Sequence, residues 1–274
     1  MRIKDKSDKT PLIKNQELCE KYGFTNLLIK DESKNPFGTY KDRRNKLVIE
    51  KAKKEHVDKL VLITSGNAGY SLARYSQNSN IKIICIIDKN LKKSIKNKLK
   101  QYSKIIEVNL SERILKPEEV ISLVRENDEE VIWDVTNGYH KAYEKIVEEI
   151  NHEDPDFIIL PMGSGEAFVG FYNGIRKLKL KTKLIGVGVK DKWNSYADKL
   201  HTPWTPYKSK IQSILKEGHK IIKLDEEEIK KVYKEISTIL DTEPSSSVVF
   251  GVLSKLNIDK DNKIILINSG KGLF

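Results

Sequence analysis

Asn35-Pro36-Phe37-Gly38-Thr39-Tyr40-Lys41-Asp42-Arg43 follows a short apolar run, Asn26 to Lys30, and leads into Asp42 to Glu55, whose apolar residues recur at helical spacing. Asn-Pro and Gly mark a turn between the two. Lys41 therefore stands in the first turn of a helix, where the macrodipole favours anions and a cation is opposed. In an electropositive, partly desolvated setting a lysine amine becomes nucleophilic. On position alone the plainer reading is one surface lysine among many.

The same strand, turn, helix arrangement recurs twice. Thr64-Ser65-Gly66-Asn67-Ala68-Gly69 follows the apolar run Lys59 to Ile63. Small residues there expose backbone N–H groups at a helix amino end, which suits a carboxylate or a phosphate. An ordinary tight turn is the alternative. Pro161-Met162-Gly163-Ser164-Gly165-Glu166-Ala167 follows Phe157 to Leu160. It lacks the lysine and length of a Walker loop and the third glycine of a dinucleotide fingerprint. Its glycines ahead of a helix amino end still make a phosphate cradle.

Around these loops, apolar runs alternate with amphipathic stretches. Strands are predicted at Asn26–Lys30, Lys59–Ile63, Ile81–Ile87, Ile105–Val108, Phe157–Leu160, Leu184–Val189 and Lys263–Ile267. Most are unbroken runs of Ile, Leu and Val, the pattern of strands buried on both faces. Helices are predicted at Asp42–Glu55, Ala68–Gln77, Ser94–Gln101, Pro117–Glu126, Tyr139–Ile150 and Glu166–Leu178, then at Lys208–Lys216, Glu226–Ile239 and Ser247–Leu256. Repeated strand-then-helix order predicts an α/β fold with parallel sheets and flanking helices. In such sheets ligands bind beyond the carboxyl ends of strands, where all three loops fall. The turn Asn151 to Asp156 is the expected domain junction.

Composition narrows the function classes. Of 274 residues, 38% are hydrophobic and 32% charged, which fits neither a membrane protein nor a disordered chain. Fifty Lys and Arg against 39 Asp and Glu give a net charge of +11. Only seven of the fifty are arginine, the residue that nucleic-acid recognition favours. The densest basic runs, Lys92 to Lys100 and Arg176 to Lys183, are interleaved with Leu and Ile and read as solvated faces. Arg113, Arg125 and Arg176 read as surface cations on helices. No nucleic-acid partner is expected. Cys19 and Cys85 offer neither a disulfide framework nor a metal site. Met1 to Thr10 is charged, without the apolar core of a leader, and no window approaches a membrane span. A cytoplasmic protein without a membrane partner is the expectation.

The three loops, in this order and spacing, resemble the β-family of pyridoxal-phosphate (PLP) enzymes, fold type II, which includes threonine synthase, threonine dehydratase and cysteine synthase. The resemblance runs from Thr10-Pro11-Leu12 to Gly270-Lys271-Gly272. Asn35 to Arg43 looks like that family's Schiff-base lysine motif, which implies that Lys41 carries the cofactor and acts at the substrate α-carbon. Ser65 to Gly69 is similar to its asparagine loop, which implies that Asn67 contacts the cofactor's phenolic oxygen and that Thr64, Ser65, Gly66, Asn67 and Ala68 hold the substrate carboxylate. Gly163, Ser164, Gly165, Glu166 and Ala167 match its phosphate loop. Asn268 to Gly272 resembles its last motif, which implies Ser269 at the pyridine nitrogen. Glu243 to Ser247 matches its Glu-Pro-small-small run.

A hydroxyl rather than an Asp at that nitrogen implies elimination and replacement chemistry, not transamination. A threonine synthase-like lyase acting on a small amino acid with a β- or γ-leaving group is the leading expectation. A cysteine synthase-like transferase and a serine/threonine dehydratase-like β-lyase follow it. A non-catalytic PLP or amino-acid binding protein is the other class. The resemblance also implies a homodimer, and two domains: 36–150, and 1–35 with 151–274, the larger holding the cofactor phosphate. Lys199-Leu200-His201-Thr202-Pro203-Trp204-Thr205-Pro206-Tyr207 has no counterpart in the family pattern.

Overall fold

The structure, a computed structural model, describes residues 9–190, 195–202 and 204–273. Most of the charged amino terminus, residues 1–8, and Pro203 lie outside them. The strands are β1 (Leu12–Lys14), β2 (Asn26–Asp31), β3 (Lys59–Ile63), β4 (Lys82–Asp88), β5 (Lys104–Val108), β6 (Ile132–Asp134), β7 (Phe157–Pro161), β8 (Lys183–Val189), β9 (Lys220–Leu224) and β10 (Lys263–Asn268). The helices are α1 (Gln16–Tyr22), α2 (Lys41–Lys54), α3 (Asn67–Ser76), α4 (Lys93–Lys100), α5 (Pro117–Ser122), α6 (Glu144–Ile150), α7 (Glu166–Lys177), α8 (Lys208–Lys216), α9 (Glu226–Ile236) and α10 (Pro244–Gly251). They form two compact units: residues 1–40 with 143–271, and residues 41–142 with 272–274.

The larger unit holds a six-stranded sheet in the order β1-β2-β10-β7-β8-β9, parallel except for β1. Its inner strands β2, β10, β7 and β8 are buried on both faces, as the apolar runs predict. Leu27, Ile29, Ile159, Ile264 and Leu266 pack on one side with α1, α9 and α10, and Ile158, Leu160, Ile265 and Ile267 on the other with α6 to α8. Burying one such side chain contributes about 1.5–3 kcal/mol. The smaller unit holds the parallel sheet β5-β4-β3-β6. Leu60, Leu62, Ile83 and Cys85 face α2, α3 and α4, while Val61, Ile84 and Ile86 face α5. Cys19 and Cys85 are both buried and free.

Several expectations are corrected. The units change at residues 40/41 and 142/143 rather than at 35/36 and 150/151. Tyr143, Ile146, Val147 and Ile150 pack against α7, which carries all of α6 and the turn after it into the larger unit. The helix predicted at Tyr139–Ile150 divides into a 3-10 turn, His140–Tyr143, and α6. That predicted at Pro117–Glu126 stops at Ser122, because the chain beyond it serves Lys59. This lysine is buried, and its amine reaches the Val124 carbonyl (3.2 Å), Glu126 (3.0 Å) and Glu130 (2.6 Å). The helix predicted from Ser247 starts at Pro244, a residue suited to a first helical turn. Arg113 and Arg125 lie outside helices, while Arg176 is on α7 and exposed. Strands β1, β6 and β9 and helix α1 escaped the sequence pattern. They are short, and the three strands lie at sheet edges with partly exposed faces.

His219 fixes one pH dependence of the larger unit. Its Nδ1 accepts the Leu184 N–H at 2.9 Å, and its ring stacks edge-on to Tyr172. The ring must therefore be neutral, and burial, then the Lys183 charge, hold its pKa below the usual 6.5. A depressed histidine pKa means that the unfolded chain binds the extra proton first, so this contribution is present above pH 6.5 and lost as pH falls below it. His219→Asn, which keeps an acceptor but cannot titrate, is expected to flatten the fall in urea midpoint between about pH 7.5 and about pH 5. An unaltered slope would remove His219 as its source.

Candidate active site

In the smaller unit, Lys41 is the first residue of α2 and is half-buried. The residues after it pin the helix. Arg44 is buried, donates to the Val135 carbonyl and lies 5.4 Å from the centre of the Tyr139 ring. Asn45, also buried, donates to the Ala68 carbonyl at 2.9 Å. That bond fastens the helix of Lys41 to the loop of Asn67.

The loop is braced from within. Thr64 Oγ1 accepts the N–H groups of Gly66 (3.0 Å) and Gly69 (3.2 Å). Gly66 has φ of 132°, and a Cβ there would come within 2.9 Å of Ile95. Only glycine fits a backbone so turned and so enclosed. Helix α3 starts at Asn67 without a side-chain cap from Gly66, and with the Gly69 N–H taken by Thr64 the Ala68 N–H is the first-turn donor open to an anion. Ser65 is half-buried, and among the described residues its hydroxyl has no protein partner. Thr64 was expected to touch substrate; its hydroxyl oxygen is committed to holding the turn.

In the larger unit the Gly163–Ala167 loop lies at the carboxyl end of β7 and starts α7. Gly165 has φ of 86°, and α7 has no side-chain cap. The first helical hydrogen bond from this end is Val169 N–H to Gly165 O, 2.9 Å. Glu166 N–H donates to the Ser164 hydroxyl at 3.5 Å. Glu166 itself is buried, with Tyr207 Oη 3.5 Å from its Oε1.

Ser269 follows β10 and is held by its backbone. Its N–H donates to Ser246 Oγ at 2.7 Å, and its carbonyl accepts the N–H of Tyr40, the residue before Lys41, at 2.8 Å. Ser246 donates to Asn268 Oδ1 (2.7 Å), and Asn268 Nδ2 donates to Asp31 (2.8 Å) and to the Asp241 carbonyl (2.9 Å). Among the described residues none of these bonds uses the Ser269 hydroxyl. Ser246 and Asn268 are thus supports that sequence reading gave no role, although both stand in motifs it singled out.

Taken singly, these groups have the chemistry that a phosphorylated aromatic aldehyde calls for. Uncapped glycine loops favour a dianion, a primary amine takes an aldehyde, and a hydroxyl suits a neutral ring nitrogen. Among the described residues no group of His, Cys, Asp or Glu is arranged to hold a metal ion.

A family model described as pyridoxal-phosphate dependent enzyme matches residues 3–270. The chain belongs to that family. Members of the family depend on pyridoxal phosphate, and so does this fold type II enzyme. A relative, threonine synthase of Methanosarcina acetivorans, is 25% identical over 181 residues, which span 62% of this chain and only 44% of that protein. Among solved structures, maize serine racemase matches with a TM-score of 0.83 at 20% identity, covering 97% of this chain and 88% of that one. O-acetylserine dependent cystathionine beta-synthase from Helicobacter pylori matches with a TM-score of 0.80 at 18% identity, over 95% and 92%. At these identities the structures establish the fold. No described helix is long and apolar enough to cross a membrane.

Proposed function

We propose that the protein catalyses elimination or replacement on a small amino acid with a leaving group at its β- or γ-carbon, in the manner of threonine synthase. The observation that carries this reading is the Ser269 frame. A hydroxyl is held there by Ser246 and Asn268, with no carboxylate of its own to protonate a ring nitrogen. When bound, the cofactor supplies an electron sink for charge left at the α-carbon. Lys41 would hold the aldehyde and then move the α-proton. Ser164, Gly165 and Ala167 would bind the phosphate, and Asn67 the phenolic oxygen. The Ala68 backbone N–H, with Ser65, would bind the substrate carboxylate. Sequence likeness to a threonine synthase puts O-phosphohomoserine first among substrates.

A panel of O-phosphohomoserine, O-phosphoserine, O-acetylserine, serine and threonine tests the proposal. Release of phosphate, acetate or ammonia with one of them is the expected result. Spectral change without any product would instead mark a binding protein. Racemisation of serine without release of a leaving group would overturn the reaction class.

A further inference from the structure

The described residues of the segment Lys199–Tyr207, which the sequence reading leaves without a counterpart in the family pattern, lie against the phosphate loop within the larger unit. A Cβ on Gly163 would come 3.2 Å from the Lys199 carbonyl oxygen and 3.4 Å from Thr202 Oγ1. Thr205 Oγ1 donates to the Ser164 carbonyl and accepts the Tyr207 N–H at 3.1 Å. That pair of bonds fixes the direction of the Thr205 hydroxyl.

Lys199 anchors the segment. Its amine pairs with Glu243, both side chains nearly buried, and its N–H donates to Ser245 Oγ at 3.2 Å. Glu243 N–H in turn donates to the Gly270 carbonyl at 3.1 Å.

Ser164 O and the Gly165 N–H belong to one peptide unit. In a trans peptide they point in opposite directions, and the described residues contain no cis bond. Binding the carbonyl to Thr205 therefore aims the Gly165 N–H away from Thr205. Nothing in Gly165 itself enforces this, because a residue without Cβ tolerates reversal of the preceding peptide plane. Reversal would exchange a donor for a carbonyl oxygen, which repels phosphate.

We infer that Thr205 is a positioning residue that sets the donor face of the phosphate loop, with Lys199 and Glu243 holding it in place. This inference rests on the cofactor roles proposed above. Its test compares PLP with pyridoxal, which lacks the phosphate, in equilibrium titrations of the full chain stripped of cofactor. Wild type should prefer PLP strongly. Thr205→Val should lower PLP affinity about tenfold and leave pyridoxal affinity unchanged. Thr205→Ser, which restores the hydroxyl, should recover the preference.

A wild-type preference retained in Thr205→Val would overturn the inference while leaving the cofactor reading intact. A wild type that binds neither compound would overturn both. Circular dichroism and the thermal midpoint check that Thr205→Val is folded. Should it fail to fold, Lys199→Met combined with Glu243→Gln removes the anchor without leaving a buried charge, and the same loss of PLP preference is expected.

Discussion

Lys41→Ala is expected to abolish the visible absorption of the lysine-held cofactor and to reduce turnover of the best substrate about 10²–10⁴-fold. The effect should be far larger than for any other lysine, because the chain presents this amine in a singular way. It is the first side chain of α2, and the preceding residue is tied through its N–H to the Ser269 carbonyl. The following turn is pinned by Arg44 and Asn45. Tyr40 is thus fixed within the larger unit and the first turn of α2 within the smaller. A general base must reach its proton within hydrogen-bond distance, so geometry precedes basicity in deciding its worth. Borohydride reduction of the wild type, followed by peptide mapping, should place the cofactor on the peptide that contains Lys41. A Lys41→Ala protein that keeps the absorption band would show that another lysine holds it and would end the assignment.

The parts legible in the sequence are those whose cause is local. β3, β7 and β10 carry unbroken Ile, Leu and Val runs, and β8 one interrupted only by Gly186 and Gly188, because both faces of each are covered, and their bounds follow closely from the pattern. The loops after β3 and β7 announce themselves by small residues between a strand and a helix. The supports of those loops do not. Thr205 meets Ser164 across 41 positions, and Ser246 meets Ser269 across 23. A lone hydroxyl in the sequence carries no sign of such a partner. Arg44 stands in the sequence as one more cation after Lys41-Asp42-Arg43, and only the fold shows that it is buried against Val135 and Tyr139.

The basic surplus hides another exception to its surface reading. Lys30, on β2, is only 2% exposed, and its amine lies 2.6 Å from Glu149 of α6 and 2.6 Å from the Thr10 carbonyl. A lysine in an apolar strand looks like an edge residue, yet β2 is an interior strand between β1 and β10. Lys30→Met keeps the chain length and removes the cation, leaving the Glu149 carboxylate, 10% exposed, without it. Breaking one side of a buried pair costs about 3–5 kcal/mol, a large part of the roughly 5–15 kcal/mol that stabilises a typical fold. The expected thermal shift is on the order of 10 °C. Removing both charges, Lys30→Met with Glu149→Gln, should restore most of the loss, because desolvated charge rather than the missing bond dominates the cost. Urea midpoints at unchanged slope would measure both. A single variant within about 1 kcal/mol of wild type would mean that water reaches Glu149 and that the pair adds little. A double variant no better than the single would show that packing around β2 and α6, not charge, sets the penalty.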